Sequence, residues 1–521
     1  MSDTADDNRD ALTIRNATQA QGFTAMLGSG SCEVCWDDGV RATGLGGMVY
    51  FGHFLREGGI FEQWVASCPL TYTSNNAPDK RAVLTTLLAG TVAGAWRYAH
   101  LSTVRYDTLL PGLLNTPNLV SEDAVRRALK QAHKDERAWD RWLSTHELAT
   151  LAPLLTEPYV LDLDITIKPL YGRQQGAEIG YNPAKPGRPS HAVHTAFIGA
   201  LRLVFSVDVQ GGKKHAARHL APVLWARLDE LPRQLWPSLL RGDVAFGCEE
   251  YMCACESRHL DYLFKLRKTR GIRAVVKLVA SLADEGWMHA ADGWQTCEAR
   301  VRLQGWSRER RVIVTRRRAP RGRRHRGRDR QSELPLVNEP TRMDWEYAVL
   351  VTGGDLPAAA LVQLYRERAD CENVFDELKN QWGLAGFTTR DILRCRIMAR
   401  MVALVCNWWN VFARLAEPRE HMEAITSRPM LLHVVAQAVT HAGRTVLRLC
   451  SHHGLVHEIR QAFARLDTIL RYFRANAEQL SKTSRWPLLL SLAFVKWLRG
   501  RVLATGLAAD PVLAPLLACG P

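Results

Sequence analysis

Three sets of residues in this sequence are of a type and spacing that could do chemistry. In LYRERADCENVFDELKNQW (Leu364–Trp382), Tyr365, Arg368, Glu372 and Lys379 follow one another at spacings of three, four and seven. Such spacings stack side chains on one side of a helix. There a half-buried acid can be held between a cation and a phenol, although the same stripe would also serve as a plain surface ladder of Arg–Glu pairs. In YVLDLDITIKPLYG, Asp162 and Asp164 alternate with Leu161, Leu163 and Ile165, so both acids face one side of a strand. Two acids entering a core are costly unless they bind something cationic, or unless that face is simply wet. In LLRGDVAFG, Asp243 stands where a strand ends before a helix, a usual ligand position in α/β sheets.

The elements that must position these groups are legible in outline. Leu364–Trp382 holds no Pro or Gly and reads as one helix of about five turns. Leu364, Cys371, Phe375, Leu378 and Trp382 make its buried face, while Arg366, Asp370, Asn373, Glu377 and Gln381 fill a solvated one. The turn-rich loop GYNPAKPGRPSH carries Lys185, Arg188 and His191, either to contact a polyanion or only to connect strands. Ala200–Val209 reads as a strand, His215–Leu228 as a helix, Cys248–Arg258 as a helix and DYLFKLRK as a strand. The triplet Arg241–Gly242–Asp243 abuts a buried strand, which argues against a cell-adhesion role.

The order Tyr, two residues, Arg, three residues, Glu, six residues, Lys resembles the C-terminal signature of the DDE transposases of bacterial insertion sequences. The succession strand acid, strand acid, helix acid, with an insertion before the last helix, is similar to the RNase H-like catalytic core of that family over about residues 156–415. The resemblance implies an α/β fold: an RNase H-like core with a basic β-rich insertion, flanked by a helical N-terminal domain and a helical C-terminal region. It implies Asp164, Asp243 and Glu372 as the catalytic, metal-binding carboxylates. Asp164 is selected over Asp162 because the family's first Asp sits two residues before Thr. Tyr365, Arg368 and Lys379 would contact DNA phosphates near the cut. Three carboxylates can hold two Mg²⁺ or Mn²⁺ ions about 3.5–4 Å apart, suited to in-line displacement at phosphorus. The implied activity is cut-and-paste transposition: strand cleavage and strand transfer at the ends of the protein's own insertion sequence. The implied partners are double-stranded DNA (terminal inverted repeats and target) and a second copy in a paired-end complex, with no membrane and no nucleotide cofactor. The implied location is the bacterial cytoplasm, at the nucleoid. In relatives an aromatic residue of the insertion can stack on a flipped base. Trp345 is the nearest candidate, unless it is a core residue of its strand, and Ala369 stands where some relatives place a second Trp. Two other readings are a tyrosine recombinase with Tyr365 as nucleophile, and a DNA-binding regulator with an inactive core.

Composition agrees with a polyanion partner. The chain has 521 residues, 47% hydrophobic, and a net charge of +15, which fits nucleic acid better than a membrane because Arg is spread over many segments. Nine Arg fall between Arg316 and Arg330, a density that should stay disordered until it meets phosphate. Arg316, Arg317, Arg318, Arg323 and Arg324, with Arg188, are therefore read as DNA-binding. The acidic amino terminus lacks the pattern of a secretory signal, and no run of 18 apolar residues occurs. The twelve cysteines are scattered; Cys32 and Cys35 form a CxxC with no second pair at zinc-site spacing. The expected organisation is a flexible tail (1–40), a helical N-terminal DNA-binding domain (41–155), the first part of the core (156–269), the basic insertion (270–344), the second part of the core (345–415) and a C-terminal helical region (416–521). Ser121 is a plausible N-cap of a helix running on through SEDAVRRALKQAHKDERAWDRWL. Helices are expected over Arg394–Ala413, Met430–Leu449, Glu458–Leu480 and Trp486–Leu503.

Overall fold

The computed structural model describes residues 23–282, 286–318, 345–384 and 386–504, except the side chains at positions 369–372. Within the stretch expected to be a tail, β1 (Phe23–Leu27) and β2 (Gly30–Val34) form an exposed hairpin, followed by β3 (Arg41–Thr43). Helices α1 (Met48–Gly58), α2 (Ile60–Ser67), α3 (Lys80–Val92), α4 (Leu101–Arg105), α5 (Leu110–Leu113), α6 (Glu122–Lys130) and α7 (Glu136–Leu151) come next. Ser121 caps α6 by accepting a hydrogen bond from Ala124 N. Asp135 caps α7 in the same way with Ala138 N, and so divides in two what the sequence suggested was one helix.

The central sheet begins with β4 (Val160–Pro169), β5 (Glu178–Ile179), β6 (Pro189–Ile198) and β7 (Leu203–Gly211). After α8 (Leu220–Asp229) come β8 (Leu239–Gly242), α9 (Glu249–Glu256) and β9 (Asp261–Lys265). The neighbours run β7, β6, β4, β8, β9. The first three strands are antiparallel, and β4, β8 and β9 are parallel. Leu161 and Leu163 of β4 are wholly buried, and so is Asp162 between them, so this strand is covered on both faces. The insertion extends the same sheet. After α10 (Arg270–Ala280), strands β10 (Met288–His289), β11 (Gln295–Val301), β12 (Arg310–Arg318) and β13 (Trp345–Thr352) add antiparallel ribbons, with β13 paired to β9.

Two helices then lead out of the sheet, α11 (Ala358–Arg366) and α12 (Ala369–Asn380). The single five-turn helix expected over Leu364–Trp382 is thus broken at Glu367–Arg368. The main chain stays in the right-handed region there, but Arg368 N bonds to Tyr365 O at 3.1 Å, three residues back instead of four.

The long helix α13 (Ile392–Ala416) is apolar nearly all round and runs through the protein interior. It lies on β7, where Asn407 accepts from Val204 N and donates to Val204 O, each at 2.8 Å. Trp408 Nε1 donates to Thr150 of α7. Beyond it come α14 (Ala424–Leu431), β14 (Ala436–His441), β15 (Arg444–Leu449), α15 (Val456–Ala475) and α16 (Lys482–Ala493). Helices from both ends of the chain share one apolar core around α13. The segment expected to be a helix over Met430–Leu449 is instead a hairpin extended by β3. Its turn is Ala442–Gly443, both at positive φ, as a tight two-residue hairpin requires. Among the described residues no helix is long and apolar enough to cross a membrane.

Candidate active site

The register of two parallel strands brings the first two acids together. Asp162 pairs with Arg241 and Leu163 with Gly242, so the next step along both chains sets Asp164 beside Asp243, on strands about 4.8 Å apart. Arg241–Gly242–Asp243 accounts for its own sequence. Arg241 meets Asp162, a Cβ on Gly242 would lie 2.7 Å from Phe246, and Asp243 ends the strand. The Asp243 side chain accepts from Ala245 N at 2.9 Å, an Asx turn that fixes the carboxylate where the chain leaves the sheet.

Asp164 and Asp243 line one cleft of about 450 Å³ together with Thr166, Val244, Lys265, Tyr365, Arg368, Phe375, Asp376 and Lys379. Five residues singled out from the sequence therefore converge here: both strand acids, the phenol, the guanidinium and the ammonium. Glu372 lies in the first turn of α12, between cleft-lining Arg368 and Phe375; its side chain is outside the described residues. Lys265 and Asp376 were not identified from sequence, and Thr166 entered only as the residue that selects Asp164. Lys265 ends β9 after three buried apolar residues, and Asp376 stands four residues beyond Glu372 with Asn380 donating to it.

The two acids of β4 differ. Asp162 is wholly buried, and Arg241 grips it through Nε at 2.5 Å and Nη2 at 2.8 Å. Asp164 keeps about a quarter of its side chain exposed, and Arg368 Nη2 approaches it at 3.7 Å while also donating to Leu163 O. Burial pulls the Arg368 pKa down, but the charges of Asp164, Tyr365, Asp243 and Asp162 outweigh it and hold the group above the ordinary arginine value. Lys379 is exposed at the cleft.

The far side of α12 is solvated only in part: Asn373 is exposed as expected, but Glu377 is not. Glu377 is buried and accepts from Trp382 Nε1 at 3.1 Å, His421 Nε2 at 3.3 Å and Ala424 N at 3.0 Å. Burial pushes its pKa up, yet these donors hold it below the usual carboxylate value. The helix is thus pinned from behind by the segment entering α14.

The arginine-rich arm also needs correcting at its start. Arg316, Arg317 and Arg318 are strand residues paired with β13, not part of a disordered arm. Arg316 is buried between the rings of Trp287 (4.0 Å) and Trp345 (4.3 Å) and donates to Gln295, so this cation is interior. Arg317 pairs with Glu346 and lies over Trp294. Arg318 is exposed and lies over Trp345, which is itself half-buried. Arg323 and Arg324 lie outside the described residues. Arg188 is exposed, stacked on Tyr171. Cys32 and Cys35 are exposed free thiols, and among the described residues no cluster of three or more His, Cys, Asp or Glu could hold a metal ion.

Comparison with known proteins gives the family. No curated protein matches the chain. Among solved structures it is similar to piggyBac transposase, in the cryo-EM structure of its synaptic complex with hairpin DNA. The identity is 10%, over 83% of this chain and 84% of that one, with a TM-score of 0.37. The sequence model of the family described as Transposase DDE domain group 1 matches residues 33–470, most of the chain. This protein therefore belongs to the DDE transposases of domain group 1.

Proposed function

We propose that this chain is a cut-and-paste transposase that cleaves and joins DNA at the ends of its own insertion sequence, with Asp164, Asp243 and Glu372 as its catalytic acids on an RNase H-like core. The observation that carries the reading is the shared cleft: two strand acids on neighbouring parallel strands face a helix bearing Tyr365, Arg368 and Lys379. Helical spacing puts position 372 on the face that carries 368, 375 and 379.

The donor set fits hard divalent cations. Two carboxylates side by side in a polar cleft repel one another unless a cation intervenes, and oxygen ligands suit Mg²⁺ or Mn²⁺. Asp164, Asp243 and Glu372 would hold them, two per site. When bound they would supply Lewis acidity at the scissile phosphate and favour the deprotonated form of water or a 3′-hydroxyl. The chain's own groups orient the ester. Arg368, placed against Asp164, offsets part of the acid charge, so that an anionic backbone can enter. Lys379 at the cleft, with Tyr365, would hold flanking phosphates through charge and a phenolic hydrogen bond. The partner is duplex DNA, terminal repeats and target alike, bound by two copies in the paired-end complex. The exposed Arg188 and Arg318, and the arginines at 323 and 324, would add to that backbone contact.

The test is cleavage of a labelled duplex carrying the element's end, with Mg²⁺ or Mn²⁺. Activity is expected to vanish with EDTA and in Asp164→Ala, Asp243→Ala and Glu372→Ala alike. Normal cutting by Glu372→Ala would sink the assignment. EDTA-resistant cutting with a phosphotyrosine adduct would replace it with recombinase chemistry at Tyr365.

A further inference from the structure

Arg241 is almost wholly buried, as is its partner Asp162, and its guanidinium joins three elements. Nε and Nη2 take both oxygens of Asp162 on β4, while Nη1 donates to the carbonyl of Leu364 in α11. That carbonyl is one the helix leaves over. In an unbroken α-helix Leu364 O would accept from Arg368 N, but Arg368 N bonds to Tyr365 O, and Glu367 N bonds to Gln363 O. Arg241 thus enters the helical ladder at the point where α11 gives way to α12. A cation is favoured there by the partial negative charge of a helix C-terminus. Immediately past the break, Arg368 lies against Asp164, and position 372 follows one turn later. Asp243 follows directly after the strand that supplies Arg241.

We infer that Arg241 is a positioning residue. Locked in orientation by Asp162, it holds the Leu364 carbonyl and so fixes where the helix bearing Arg368 and Glu372 starts, relative to Asp164 and Asp243. The inference rests on the reading of those three acids as catalytic. A buried ion pair by itself would need only charge balance; the third bond, to a main-chain oxygen at a helix break, gives the pair a direction. Lysine in place of Arg241 keeps the charge but cannot bond both carboxylate oxygens and the carbonyl in one planar fork.

The experiment compares Arg241→Lys with the wild-type full chain in three measurements: duplex binding, single-turnover cleavage in Mn²⁺ and amide hydrogen exchange. Arg241→Lys is expected to bind end DNA with affinity close to wild type and to cleave about a hundredfold more slowly, as a small misplacement of reacting groups does. Exchange should speed up locally over residues 364–376, while the rest of the sheet stays protected. A merely structural role would loosen the whole core and leave no such local signature. Should Arg241→Lys fail to fold, the double variant Asp162→Leu with Arg241→Met decides, because it removes both charges but still leaves Leu364 O without its donor. Cleavage near the wild-type rate in a folded variant overturns the proposal. Asp164→Ala in the same assay separates the two claims. If it cuts normally, the catalytic reading has failed; if it is inert while Arg241→Lys cuts normally, only the positioning role falls.

Discussion

Neighbouring positions on β4 and β8 place their acids in opposite settings. On one, Asp162 of β4 faces Arg241 of β8, both buried, charge matched to charge. Two residues further along each strand, Asp164 and Asp243 come side by side at an open cleft, with like charges adjacent. Asp162 sits within the paired strands and Asp243 just past the end of β8; the two positions differ also in the sign of the neighbour and access to water. The closed rung is neutral overall and ties the sheet to α11. The open rung sets two acids at the cleft, with Arg368 approaching Asp164 at 3.7 Å. Two acids two residues apart on one strand therefore differ in exposure, which the alternating pattern does not reveal.

The largest effect that would test this contrast is on cleavage. Asp164→Ala and Asp243→Ala are each expected to lower single-turnover cleavage by about a thousandfold or more, the scale of several kcal/mol of lost transition-state stabilisation. Their melting temperatures should fall much less than that of Asp162→Ala, because these acids stand at an open cleft and not in a closed pair. A large drop in melting temperature would make the open rung another structural pair and remove the distinction.

On the closed rung the ordering reverses. Asp162→Ala leaves the Arg241 guanidinium buried without its carboxylate, at a cost of about 3–5 kcal/mol. Denaturant unfolding should register that loss, and the double variant with Arg241→Met should recover most of it. A single substitution that costs no more than a surface change would mean that water reaches the pair.

Further along the same face of β4, Lys168 offers a second closed position. It donates to Gly386 O at 3.0 Å and to Thr388 Oγ1 at 2.5 Å, and burial pulls its pKa down to about 8. The folded state therefore gives up this proton near pH 8, whereas the unfolded chain keeps it up to the ordinary lysine value of 10.5. Between those values the unfolded chain binds more protons, so stability should rise with pH, by up to about 3 kcal/mol for this group. Lys168→Met should flatten that part of the profile. An unchanged slope would show that Lys168 is solvated.

Much of the site was legible because its residues lie on regular elements: alternation marked the β4 acids, the strand end marked Asp243, and helical spacing marked Tyr365, Arg368 and Lys379. What was missed depended on partners far along the chain. The loop read over GYNPAKPGRPSH runs into the first residues of β6, whose interior polar residues Ser190, His191, His194 and Thr195 hide the strand. His191 and His194 are satisfied by Gln175 O and Lys214 O, which no local pattern announces. Glu377 looked solvated because its donors His421 and Ala424 belong to a later segment. The resemblance alone separated Asp164 from Asp162; the alternating pattern could not, since Arg241 is brought to one of them only by the pairing of β4 with β8.

The smallest effect concerns a cation with neither burial nor a fixed place in the core. Lys379 is exposed where Arg241 is enclosed, so its substitution should leave folding untouched. If it holds a DNA phosphate, Lys379→Ala should weaken duplex binding by about 1 kcal/mol, evenly across sequences, and lower the salt slope of log K by about 1. The cleavage rate at saturating DNA should change little, because the lost contact is made before and during the reaction alike. A loss confined to the rate, with affinity and salt slope intact, would instead assign the Lys379 ammonium to charge that develops only as the strand is cut. In that case the chemistry of the cleft extends from the two strand acids to the C-terminal half of α12.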